Sequence, residues 1–206
     1  MRQLFFFCTF LLLSMSLLSQ STFDKSTDAT DIKELTIILD NTFLIEISNT
    51  SENKIIASAI SEGEYQNNML LKMQRDEHKI IIQDDIQPFS KNHNDKLSAH
   101  KVTSLKIKIQ IPQHIKVTIR SRIASLEINA ILKSLFVELN SGNCQLHHFI
   151  GNAKINTLTG DIMLFTKNAT IKTSTKSGII NSESIWGQHQ IELNSISGNI
   201  SVYKTK

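Results

Sequence analysis

Few residues in this chain have types and spacing that could support chemistry. His147 and His148 are adjacent, Cys144 lies just before them, and carboxylates are scattered along the chain. Two histidines would attract a metal ion if both could reach it. Neighbours on a strand point to opposite faces, so these two cannot share a small site without a turn between them. Neither cysteine nor carboxylate stands near them at ligand spacing, so no metal or cofactor site is expected. Cys144 falls among apolar positions and reads as a small buried hydrophobe, because a reactive thiol needs exposure or a lowered pKa. No nucleophile elbow, phosphate loop or zinc-hydrolase helix is present. That leaves paired carboxylates on adjacent strands, the arrangement used to cleave polysaccharides. Testing for it requires knowing which strands are adjacent.

The sequence from Leu139 to Thr166, "LNSGNCQLHHFIGNAKINTLTGDIMLFT", places Gly142, Gly151 and Gly160 nine residues apart. Nine-residue steps from Ile119 meet Ile128, Val137, Leu146, Ile155 and Leu164, and steps from Val117 meet Leu126, Leu135, Cys144, Ala153, Ile162, Ile171 and Ile180. Two inward positions in nine residues correspond to one short strand and one turn. "SG" or "TG" recurs at Gly142, Gly160 and Gly178, and then at Gly198 after a two-residue insertion. With that slip allowed, Ile180 aligns with Ile200, Ser182 with Val202, Ile171 with Ile191 and Thr173 with Leu193. One coil is therefore about 18 to 20 residues, and coils must stack because none can bury its apolar pair alone. The fold expected is all-β: a single-stranded right-handed parallel β-helix or β-roll over residues 113–206, preceded by additional strands. An antiparallel sandwich with coincidental spacing is the alternative. In this register the outward columns read Glu127, Gln145, Met163, Asn181, Asn199 and Thr118, Phe136, Lys154, Lys172, Gln190. No acidic pair stacks, so no catalytic residue is assigned.

Upstream, "ELTIILD", "FLIEI", "MLLKM", "HKIIIQD" and "LKIKIQI" alternate with period two and read as half-buried strands. Residues 32–112 thus form an N-terminal β segment that packs on the coils or continues into them, and 89–101 read as a polar loop. Residues 21–31, "STFDKSTDATD", are small and polar and read as a flexible leader. Residues 1–20 have the layout of a secretory signal peptide, with Arg2, an apolar run from Leu4 to Leu18 and a small polar group. That run is shorter than the roughly 20 residues needed to span a bilayer, so no membrane span is expected after cleavage. The formal net charge is +3 and the lysines of "LKIKIQI" alternate with apolar residues, which argues against nucleic-acid binding.

"IPQHIKVTIRSRIASLEI", followed by "VELNSGNCQL", "INTLTGDIML", "IKTSTKSGII" and "IELNSISGNISV", resembles the exported bacterial adhesin-like family of β-strand repeat proteins of unknown function, a relative of head-GIN domains. The matching positions are Ser141 to Leu146, Thr159 to Leu164, Ser177 to Ile180 and Ser197 to Val202. Cys144 replaces the usual aliphatic, and the last coil, which contains Trp186, is longer than the pattern. The resemblance implies no catalytic residues. It implies an adhesin-like or structural envelope protein of a bacterial periplasm or cell surface, binding protein or glycan through a polar β-face. A carbohydrate-binding or envelope-sensing module is the alternative, and a β-helix polysaccharide-degrading enzyme a distant third. Phe136, Met163 and Trp186 are the candidate contact residues. The final strand, "SGNISVYKTK", is expected to leave an open coil end through which the chain could associate with itself.

Overall fold

The computed structural model describes residues 21–62, 69–86 and 104–205. It is all-β, with sixteen strands and no helix among the described residues. The strands are β1 (Ser21–Asp28), β2 (Glu34–Ile38), β3 (Leu44–Asn49), β4 (Lys54–Glu62), β5 (Met69–Asp76), β6 (Lys79–Ile86), β7 (Ser104–Ile111) and β8 (Lys116–Ser121). They continue with β9 (Ser125–Asn129), β10 (Ile131–Ser141), β11 (Cys144–Thr159), β12 (Ile162–Thr166), β13 (Ala169–Ser177), β14 (Ile180–Ser182), β15 (His189–Ser197) and β16 (Ile200–Lys204). They form one mixed sheet folded into two walls. The first wall runs β1-β4-β7-β3-β9-β11-β12-β16-β14, and the second β5-β6-β2-β8-β10-β11-β15-β13. Strand β11 contributes its start to the first wall and its end to the second.

The nine-residue periodicity is visible as register. Val117, Leu135 and Ala153 are successive partners in the second wall, and Leu126, Cys144 and Ile162 in the first. The N-terminal segment extends the same columns. Leu35 pairs with Val117 and Ile80, and Ile45 with Leu126 and Ile107. These inward residues form one apolar core, each large aliphatic contributing roughly 1.5–3 kcal/mol by leaving water. Cys144 is fully buried within it, and that burial pushes its thiol pKa up to about 12.

Three expectations need correction. A single-stranded parallel β-helix is not what forms: β1·β4, β4·β7 and β5·β6 pair antiparallel, so the sheet is mixed. Residues 21–31 are not simply a leader, since β1 adds an edge strand to β4. This strand was hidden by its polar composition, the mark of an edge with little to bury.

The third correction concerns coil order. Strands β15 and β16 do not close the stack. They lie between β11/β12 and β13/β14. The final strand is therefore paired on both sides, and the coil at this end of the stack is β13/β14. Burial explains the arrangement. The inserted coil brings Ile191, Leu193, Ile200 and Val202 inward, all buried, whereas β13/β14 brings Ile171, Thr173, Ile180 and Ser182. Placing the aliphatic coil inside and the threonine- and serine-bearing coil outside gains several kcal/mol over the sequential order, at about 1.5–3 kcal/mol per side chain.

The corner glycines record the same order. A Cβ on Gly160 would lie 2.1 Å from the Gly142 carbonyl oxygen, one on Gly198 2.1 Å from that of Gly160, and one on Gly178 2.1 Å from that of Gly198. Side chains lace this corner as well: Asn143 Oδ1 accepts from the Asp161 amide (3.0 Å), Asp161 Oδ1 from Asn199 (2.7 Å) and Asn199 Oδ1 from Ile179 (2.8 Å). Gly160 also has φ +130°, a conformation side chains rarely adopt. Gly160→Ala is expected to cost at least about 3 kcal/mol through combined strain and backbone clash. The measurement is a urea unfolding midpoint, which should fall with the m-value unchanged.

Candidate binding face

The outer surface of the first wall carries polar and aromatic side chains in register. Lys108, Glu46, Glu127, Gln145, Met163, Ser201 and Asn181 follow one another along an outward column. Two glutamates are therefore stacked on neighbouring strands, contrary to the expectation from the second half alone. Glu46 was missed because it comes from β3, and no periodic spacing links β3 to β9.

Glu46 forms ion pairs with Lys106 and with Lys108 (3.5 Å to the latter). Partial burial acts to raise its pKa. The hydrogen bonds and charges of the two lysines outweigh it, and the carboxyl stays below its ordinary range. A hollow of about 560 Å³ opens here, lined by Glu46, Ser48, Ser58, Lys108, Gln110, Glu127, Asn129 and His147.

His147 stands at the border of a stacked strip. Its ring lies 5.6 Å from Phe165 at an interplanar angle of 13°, and Phe165 lies 5.1 Å from Tyr203 at 24°. The spacing held the signal: His147 to Phe165 is one 18-residue coil, and Phe165 to Tyr203 is that coil plus the inserted one. The rings line up because parallel strands repeat every 4.7–4.9 Å or so, close to a stacking distance. His148 adopts φ +48° and lines a different hollow with Lys167. The two histidines therefore diverge, as the strand argument requires.

The three sequence-derived contact residues occupy three separate surfaces. Met163 lies in the first-wall column beside the aromatic strip and is half-buried. Phe136 is half-buried on the second wall, between Thr118 and Lys154. Trp186 is 83% exposed on the connection from β14 to β15. The structure does not bring them into one patch.

The second wall carries its own hollow of about 580 Å³, with Asn140, Asn156, Asn194, Leu158 and Ile196 among its lining. Its arginines are already paired, Arg120 with Glu138 (2.7 Å) and Arg122 with Asp40 (3.4 Å). Each charge has an internal partner there, so the hollow makes a poor anion site.

No protein-family model matches the chain, and no curated protein matches it. Among solved structures it is similar to a "putative cell adhesion protein" from Clostridium sporogenes, at 18% identity and TM-score 0.64, with 91% of this chain and 100% of that one covered. A "putative adhesin" from Bacteroides fragilis aligns at 13% identity and TM-score 0.44, over 90% and 99% of the two chains. The first likeness establishes a shared fold.

Glu46 provides a test of the face's electrostatics. Its folded pKa lies below the ordinary 4.5, so its pairing stabilises the fold above that value and is lost as pH falls through the folded value. Glu46→Gln is expected to lower stability by about 0.5–1 kcal/mol at neutral pH, after allowance for solvent screening. Thermal unfolding of both proteins should show that difference closing on the acid side of 4.5.

Proposed function

We propose that this chain is an exported, non-enzymatic, adhesin-like envelope protein that binds a glycan across the outer face of its first wall. The observation that carries the reading is the continuity of the polar hollow with the His147–Phe165–Tyr203 strip. Sugar rings present apolar C–H faces and ordered hydroxyls, and they are held by aromatic carbon on one side and planar polar groups on the other. Here Glu127, Gln110 and Asn129 supply acceptors and donors beside the rings. Binding sites elsewhere have the same composition, a mostly apolar platform with a few placed polar groups.

Binding is favoured over cleavage because Lys106 and Lys108 hold Glu46 as a carboxylate. Glycosidic hydrolysis needs one carboxyl with a raised pKa to act as the acid, and the two lysines push Glu46 the other way. The apolar leader at residues 1–20 supports export, and the fold shared with the Clostridium protein supports a place among adhesin-like proteins.

Isothermal titration against envelope polysaccharides tests this. Saturable binding is expected, with affinity at least about tenfold weaker in Tyr203→Ala and in Glu127→Gln, the loss of one good contact. Phe136→Ser, on the opposite wall, should bind as the unaltered protein does. Absence of saturable glycan binding, or binding indifferent to Tyr203→Ala, would sink the reading. Capture of an envelope protein through the same face would replace it with a protein-binding adhesin.

A further inference from the structure

The two ends of the stack are protected differently. At one end the edge strands are β1 and β5. Lys25 pairs with buried Ala57 and Arg75 with buried Ile80, so both cations occupy positions on the inward face. They line a hollow of about 350 Å³ between the walls, and Arg75 donates to the Asp28 carbonyl (3.3 Å), tying one wall to the other. Inward-pointing charge on an edge strand is a recognised guard against further strand addition.

The other end has no such guard. The inward positions of β13 and β14 include Ala169, Ile171, Thr173, Thr175, Ile180 and Ser182, none of them charged. Ile180 is 42% exposed and the adjoining Ile179 74%. No described strand pairs with the outer edge of β13 or β14. Of the residues outside those described, 1–20 precede β1, 63–68 link β4 to β5 and 87–103 link β6 to β7, all strands of the opposite half, and Lys206 follows β16.

We propose that this end is a dimerisation surface and that its occupant is the same end of a second copy. The argument is one of shape and charge. An added strand from another protein would cover one wall and leave the other open. A two-walled body covers both Ile171 and Ile180 at once, and an identical end has that cross-section. Head-to-tail stacking would press the apolar end onto Lys25 and Arg75 and strip water from both charges, which is unfavourable. The contact is therefore isologous and closes at two copies. A nine-residue β13 is about 30 Å long and a three-residue β14 about 10 Å, and with strips about 10 Å wide they give roughly 400 Å² per copy, near 800 Å² in total. That is below the usual size of stable interfaces, so a weak, concentration-dependent dimer is expected.

Sedimentation equilibrium of the purified full chain from micromolar to near-millimolar concentration is the test. Dimers are expected, with Thr173→Lys weakening association at least a hundredfold while circular dichroism and melting temperature stay unchanged. If Thr173→Lys fails to fold, Ile180→Asp reads the same contact from the other wall. Lys25→Val, which removes a guard from the opposite end, should convert dimers into longer assemblies. A protein monomeric throughout, or a dimer that survives a folded Thr173→Lys, overturns the proposal. A Lys25→Val protein that stays dimeric overturns the role given to the inward cations.

Discussion

The close approach of backbone at one corner of the stack governs everything else. Where Gly142, Gly160, Gly198 and Gly178 succeed one another, no side chain fits between one turn and the next. That contact fixes the close spacing of the coils, and the Asn143–Asp161–Asn199 hydrogen bonds hold them laterally. Once the corner is fixed, every strand leaving it starts at the same residue of the pleat. Inward residues then face inward along the whole wall, since a one-residue slip would turn each apolar column to solvent. The stacked outward rings and the paired lysines and glutamates follow from the same register without further specification.

Within that frame, burial decides sequence order. Neighbouring coils in a chain usually stack in the order they are made, because sequential elements tend to be spatial neighbours. Here β15 and β16 displace that order. The local spacing from Gly160 to Gly178 would suit direct pairing of β13 with β11 equally well, so corner geometry alone does not choose. The choice falls to the core. Leu193 and Val202 gain far more from being covered on both sides than Thr173 and Ser182 would. The threonines and serines at the outer coil are then the natural residues for a place where the core ends.

What was legible in the sequence divides along the same line. The 18-residue columns from Val117 to Ile162, and the two-residue slip that aligns Ile180 with Ile200, could be read because glycine and aliphatic spacing records register directly. Coil order could not be read, because register is the same whether β15 lies beyond β13 or beneath it. The antiparallel β1·β4 and β5·β6 pairs were equally silent: alternation shows that a strand is half-buried without showing the direction of its partner. On the binding face, Met163 was found from its column and Glu46 was not, since Glu46 enters that column from a part of the chain with no repeat. Phe165 and Tyr203 were recorded in the spacing and passed over, because an aromatic on an outward strand position has no distinguishing context until its neighbours are known.

The separation of roles between inside and outside explains how such a chain could diverge while keeping its fold. Away from the edge strands, inward positions are taken chiefly by aliphatics, with the ring of Phe149, the Cys144 thiol and short hydroxyls such as Thr166, which donates to the Phe149 carbonyl. The corners accept glycine, asparagine and aspartate. Outward positions answer to neither constraint and need only tolerate the residue above and the residue below. A glutamate beside a lysine, or a ring beside a ring, costs the fold little there and builds a surface with the periodicity of the strands. The fold is therefore set by the inward and corner positions, and the outward ones are left free to vary.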